Sequence, residues 1–99
     1  MGKTSTVKKT VIRSAELEYD GSVYNYSLIK KESKRIARYI VPLYSIEVKM
    51  IDSEGKSTRG YASDLFADLG KALVFYDKLV RNVATPIDLG YVVEDDMAI

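Results

Sequence analysis

The dipeptide Asp20-Gly21 stands between two stretches in which apolar and polar residues alternate. The tightest hairpin turn needs positive φ at both central positions, which Gly adopts freely and Asp at small cost. The pair therefore predicts a two-residue loop between antiparallel strands, the first from about Val7 to Tyr19 and the second from Ser22 to about Lys30. In the first, Val11, Arg13, Ala15, Leu17 and Tyr19 share one face, and Ser14, Glu16 and Glu18 the other. A two-residue loop sets Tyr19 against Ser22, Leu17 against Tyr24, Ala15 against Tyr26 and Arg13 against Leu28. The apolar faces of both strands coincide in that register, whereas a slip of one residue would turn one of them to water.

Lys31-Glu32-Ser33-Lys34 reads as the next turn, and a third strand follows from about Arg35 to Asp52 with Pro42 inside it. Folding back there places Ala37 near Leu28 and Tyr39 near Tyr26. Beyond Pro42 the apolar alternation moves to even positions, Tyr44, Ile46, Val48 and Met50, so the phase slips by one at the proline. A bulge or bend produces such a slip and tolerates Pro. Asp52-Ser53-Glu54-Gly55 is a further turn, leading to a fourth strand from Lys56 to Ala62. Gly55 suits a four-residue loop or a three-residue loop with a bulge, which leaves open whether Arg59 and Tyr61 face in or out.

After Ala62 the period changes. Leu65, Leu69, Ala72, Leu73, Tyr76, Leu79, Val80 and Val83 recur at steps of three and four, predicting a helix over about 65–82 with Ser63, Asp64 or Asp68 as its cap. Thr85-Pro86-Ile87-Asp88 is a capping box with Pro at the first helical position. It opens a second helix carrying Leu89, Val92, Val93 and Met97, with a strand over 91–94 as the competing assignment. The expected fold is α+β: a four-stranded antiparallel meander sheet with one long bent strand, and two C-terminal helices packed on one face. Residues 1–6 are expected to be a flexible N-terminus and 7–99 a single domain, with Ala15, Leu17, Leu28, Ile46, Val48, Met50, Leu69, Leu73, Tyr76, Val80, Leu89 and Val93 in the core. Val23, Ile29, Leu43 and Ile51 fall on the outer face of the sheet.

Among 99 residues there is no His and no Cys. That excludes an imidazole base, a Ser-His-Asp triad, a thiolate nucleophile and the usual zinc sites. No apolar run is long enough for a transmembrane helix or a signal peptide, so a cytoplasmic address is expected. Gly2-Lys3-Thr4 imitates the end of a phosphate-binding loop but lacks the earlier glycine and the preceding strand. No cofactor and no metal site is expected.

The segment Leu79-Val80-Arg81-Asn82-Val83-Ala84-Thr85-Pro86-Ile87-Asp88-Leu89-Gly90-Tyr91-Val92-Val93-Glu94-Asp95 resembles the carboxyl end of a family of small uncharacterised proteins from clostridia-like Gram-positive bacteria. Those chains run strands first, then a helix, then a Thr/Ser-Pro-x-x-Leu segment ending in Val-Glu-Asp. The resemblance implies a bacterial cytoplasmic protein and no catalytic activity.

The total charge of +1 conceals a division. Residues 1–41 hold nine basic and four acidic side chains, residues 42–99 six basic and ten acidic. Two segments stand out as candidate partner-binding sites. Lys30, Lys31, Lys34, Arg35 and Arg38 surround Glu32 at the expected hairpin tip, where they could straddle phosphates while Tyr24, Tyr26 and Tyr39 stack on bases, provided those rings face solvent. Glu94-Asp95-Asp96 sits at a helix C-terminus, where carboxylates oppose the macrodipole, so helix stability does not explain it. Glu16 and Glu18 lie side by side on an outer strand face, a weak basis for acid–base chemistry without a pocket. The expected function is a non-catalytic module that binds a protein partner or a second copy of itself. The alternative is nucleic-acid binding through the basic tip, and an enzyme of small-molecule metabolism comes third.

Overall fold

The computed structural model describes residues 9–36 and 39–97, with 33–36, 39–41 and 93–97 described by their backbone alone. Four strands, β1 (Lys9–Tyr19), β2 (Ser22–Ile36), β3 (Tyr39–Ile51) and β4 (Ser57–Phe66), form one antiparallel sheet in the order β1-β2-β3-β4. Two helices, α1 (Leu69–Arg81) and α2 (Pro86–Met97), cover one face of it. The α+β meander read from the alternation and its change of period is the architecture observed.

Asp20 and Gly21 both take positive φ, 53° and 81°, as a type I′ turn requires. The pairs Tyr19–Ser22, Leu17–Tyr24, Ala15–Tyr26 and Arg13–Leu28 form as expected. One residue earlier the expectation fails. Ile12 is an extra residue in β1, so Val11 pairs with Ile29 on the outer face instead of sharing the core face, and it is exposed.

The segment 31–34 is not a turn. β2 runs through it to Ile36, and β3 begins at Tyr39. The ladder steps from Lys31–Leu43 to Lys34–Val41, which places one extra β2 residue opposite Pro42. Pro42 has no N–H to donate, so the bulge falls where the ladder bond is missing. The slip read at Pro42 is thus taken up by the facing strand. Leu28 pairs with Ile46 and Tyr26 with Val48, in place of the expected Ala37 and Tyr39. This register brings buried residues opposite buried residues across the central two strands.

The β3–β4 connection closes as the three-residue loop Ser53-Glu54-Gly55, with Gly55 at φ 86°. Asp52 Oδ1 accepts the backbone N–H groups of Glu54 and Lys56, at 3.0 and 2.8 Å. In the resulting register Arg59 and Tyr61 face out. Arg59 pairs with Glu47 and lies over the Tyr61 ring. Thr58, Gly60 and Ala62 face the helices, and Gly60 lets α2 sit close, because a Cβ there would come 2.5 Å from the Pro86 carbonyl oxygen.

Leu65 and Phe66 belong to β4 rather than to the first helix. Asp68 caps α1, its side chain accepting the Lys71 N–H at 3.1 Å. The inner stripe of α1 is Ala72, Phe75, Tyr76 and Leu79. Leu69, expected in the core, is 40% exposed: it is in phase with that stripe but stands at the first helical position, one turn before the buried part begins. Phe75, unforeseen, is buried, while Ala15, Leu17, Met50, Leu73 and Val80 pack at the core's margin. The helix ends in a Schellman pattern, Ala84 N–H to Leu79 O and Val83 N–H to Val80 O, with Val83 taking the positive φ usually given to Gly. At α2 the capping box forms in both directions, Asp88 N–H to Thr85 Oγ1 at 3.0 Å and Thr85 N–H to Asp88 Oδ2 at 3.2 Å. The segment 91–94 is helical, so the competing strand is excluded. The side chain of Val93 lies outside the described residues.

Two buried tyrosines tie the layers together. Tyr26 on β2 donates its hydroxyl to the Ala84 carbonyl at 2.9 Å, in the link between the helices. Tyr76 on α1 donates to the Tyr26 carbonyl at 3.2 Å. Burial pushes the Tyr26 hydroxyl up to about 12, and raises Tyr76 as well.

Candidate functional site

Of the basic segment, the structure describes the side chains of Lys30 and Lys31. Lys30 lies within β2 opposite Tyr44, its Nζ 3.6 Å from Glu32 Oε2. Lys31 Nζ is 3.2 Å from Asp64 Oδ1, and its side chain is only 16% exposed. That ion pair spans the sheet face from β2 to the irregular end of β4, where Asp64 has positive φ and donates its N–H to the buried Ser45 Oγ at 2.9 Å. Lys31 therefore pins the end of β4. Lys34 and Arg35 continue β2 opposite Val41 and Ile40, their side chains outside the described residues, and Arg38 lies wholly outside them. Tyr24 and Tyr26 are buried under the helices, stacked with ring centroids 6.3 Å apart, and so cannot receive bases. Tyr39 is described by its backbone alone.

Glu94, Asp95 and Asp96 occupy the last turns of α2, and their side chains too lie outside the described residues. Glu16 and Glu18 are exposed on the outer face of edge strand β1. Among the described residues no group of three or more Asp or Glu side chains is placed to hold a metal ion. No helix there is long and apolar enough to cross a membrane.

The feature that sequence reasoning missed lies on the outward side of α1. A cleft of about 600 Å³ opens between the end of β4 and the helix. Its apolar lining comes from Phe66, Phe75 and Val74, the two phenylalanine rings tilted 56° at a centroid distance of 5.5 Å. Gly70 leaves the N-terminal end open, and Asp68 borders it as the helix cap. Lys71 and Lys78 complete the lining, seven residues apart on one side of the helix, a separation of roughly 10 Å along its axis. Val74, between them, is 69% exposed. It also borders a smaller depression of about 290 Å³, formed with Asp77, Val80 and Arg81. Asp77 meets Arg13 of β1 at 3.3 Å.

The cleft arises from local causes. The irregularity near Asp64 lets Phe66 pair with Tyr44 and end the strand beneath the helix. Asp68 then starts α1 with Phe75 inward and Val74 outward. The one trace in the sequence is Val74 itself, an apolar residue out of phase with the buried stripe. Phe66, which the sequence reading placed inside the first helix, carried no such mark.

The chain belongs to a family of unknown function (DUF6514), whose model matches residues 7–98. The match agrees with the reading of the chain as a member of an uncharacterised family and covers nearly its whole length. Comparison with curated proteins and with solved structures found no match.

Proposed function

We propose that this chain is a non-catalytic protein-interaction module of the bacterial cytoplasm, and that the cleft on α1 is where a polypeptide partner docks. The observation that carries this reading is the exposed Val74 set above an aromatic floor between Lys71 and Lys78. An apolar surface of this kind, rimmed by charge, suits a segment that brings apolar anchors and carboxylates together. The absence of His and Cys agrees with a binding role. The nucleic-acid alternative is less well supported, since Lys30 and Lys31 are ion-paired and Tyr24 and Tyr26 are buried.

The test is site-directed photo-crosslinking in the native host, with a benzophenone residue in place of Val74 and, as a control, in place of Tyr61 on the outer sheet face. A discrete polypeptide adduct from position 74 and none from position 61 is expected. No adduct from position 74 overturns the reading. Retardation of RNA that is steeply salt-dependent and lost in Lys34→Glu/Arg35→Glu would favour the alternative.

A further inference from the structure

β1 is an edge of the sheet, paired with β2 on one side only. Of its eleven residues only Ala15 and Leu17 are even partly buried, while Val11 and Ile12 are 59% and 39% exposed. In an antiparallel ladder alternate residues bond the neighbouring strand, and those between turn their N–H and C=O groups away from it. The two-residue turn closes on the pair Tyr19–Ser22, so Leu17, Ala15 and Arg13 bond β2. Glu18, Glu16 and Ser14 therefore point their backbone groups off the edge, and past the extra Ile12 so do Val11 and Lys9. A long edge of this kind is a template for another strand.

The side chains on these five residues select the strand that fits. One end of the row is basic, at Lys9, and the other acidic, at Glu16 and Glu18. Among the described residues none of these three has an ion-pair partner in its own chain. We infer that β1 pairs antiparallel with β1 of a second copy, about a two-fold axis at Ser14, so that two four-stranded sheets join into one of eight strands. In that register Ser14 faces Ser14, Glu16 faces Val11, and Glu18 faces Lys9 of the second copy. That Lys9 also lies diagonal to Glu16, within reach of a long side chain. The two-fold axis forms each contact twice from one self-complementary edge. A slip of one ladder step sets Glu16 against Glu16 in one direction, and in the other moves Lys9 opposite Ser14, so the charges single out one register. The pairing also accounts for two carboxylates side by side on an exposed strand with no pocket beside them. The cleft on α1 borders β4, at the other edge of the sheet, and stays open in such a pair, so the two surfaces are independent.

The full chain provides the test. Sedimentation equilibrium should show a reversible monomer–dimer system. Lys9→Glu and Glu18→Lys should each weaken it by roughly tenfold or more, with far-UV circular dichroism unchanged. An equimolar mixture of the two variants should restore dimerisation, because every swapped charge then faces its opposite. Ser14→Pro removes the N–H at the centre of the pairing. That group points off the edge, so the β1–β2 ladder keeps its bonds while the dimer is lost. In a chain without native Cys, Ser14→Cys sets two thiols on residues whose Cα atoms are about 5.5 Å apart, within disulfide range. Mild oxidation should link that variant far faster than Tyr61→Cys. A monomeric mass up to millimolar concentration, a dimer indifferent to the charge changes, a mixture of folded variants that stays monomeric, or equal linking of the two Cys variants overturns the inference.

Discussion

Tyr26→Phe removes one oxygen from the centre of the molecule and leaves its shape intact. The lost hydroxyl is the 2.9 Å donor to the Ala84 carbonyl, and both residues are buried. The carbonyl would be left without that partner, which costs about 1–3 kcal/mol. No cavity forms, so no packing penalty is added. With a urea dependence of about 1–2 kcal/mol per molar for a chain of this size, the unfolding midpoint should fall by roughly 1 M at neutral pH.

The same change should have a second effect in alkali. Burial, with smaller contributions from Tyr24, Asp88 and Tyr76, raises the Tyr26 hydroxyl from 10.0 to about 12. The folded state therefore holds this proton more tightly than the unfolded state. The stabilisation is fully present below pH 10 and is lost as pH rises towards 12, a difference of about 3 kcal/mol. Wild-type stability should fall across that window, and Tyr26→Phe should flatten the fall, leaving the smaller contribution of Tyr76. Urea titrations at neutral pH and at intervals above pH 10 measure both effects. A variant as stable as wild type at neutral pH, or one with the same alkaline slope, would refute the role given to this hydroxyl.

Gly60→Ala would drive a Cβ to 2.5 Å from the Pro86 carbonyl oxygen, backbone against backbone. It should cost about 1–3 kcal/mol, read as a lower thermal midpoint with early loss of amide-exchange protection in α2. Thr85→Ala deletes one arm of the capping box and should cost about 1 kcal/mol by chemical denaturation, with Thr85→Ser recovering most of it. Asp77→Asn breaks an ion pair whose two side chains are about half exposed, and should change stability by less than about 1 kcal/mol at any salt concentration.

The local elements of this protein are written in short stretches of its sequence. Asp20-Gly21 determined a turn and, through it, the β1–β2 register, because only one register aligns the apolar faces on both sides. Asp68 and the Thr85/Asp88 box determined where two helices start, since a cap satisfies backbone donors within a few residues of itself. Long-range pairing was less legible. Lys31 to Lys34 looks like a turn by polarity alone, yet β2 continues through it, because the ladder to β3 and the bulge opposite Pro42 decide the path of both strands. For the same reason Val11 could not be placed without knowing that Ile12 is extra.

Lys31 of the basic segment meets Asp64 across β3, a contact that no spacing along the chain reveals. The cleft was hidden likewise, since Phe66 and Phe75 belong to different elements and only the fold makes one floor of them. Sequence by itself determined the class of fold, the caps, the first hairpin and the exclusion of His and Cys chemistry, all of which depend on residues close together in the chain or on composition. Only the tertiary structure decided the surfaces, because a surface is made of residues from separate elements, and their meeting is set by registers and bulges that no local pattern encodes.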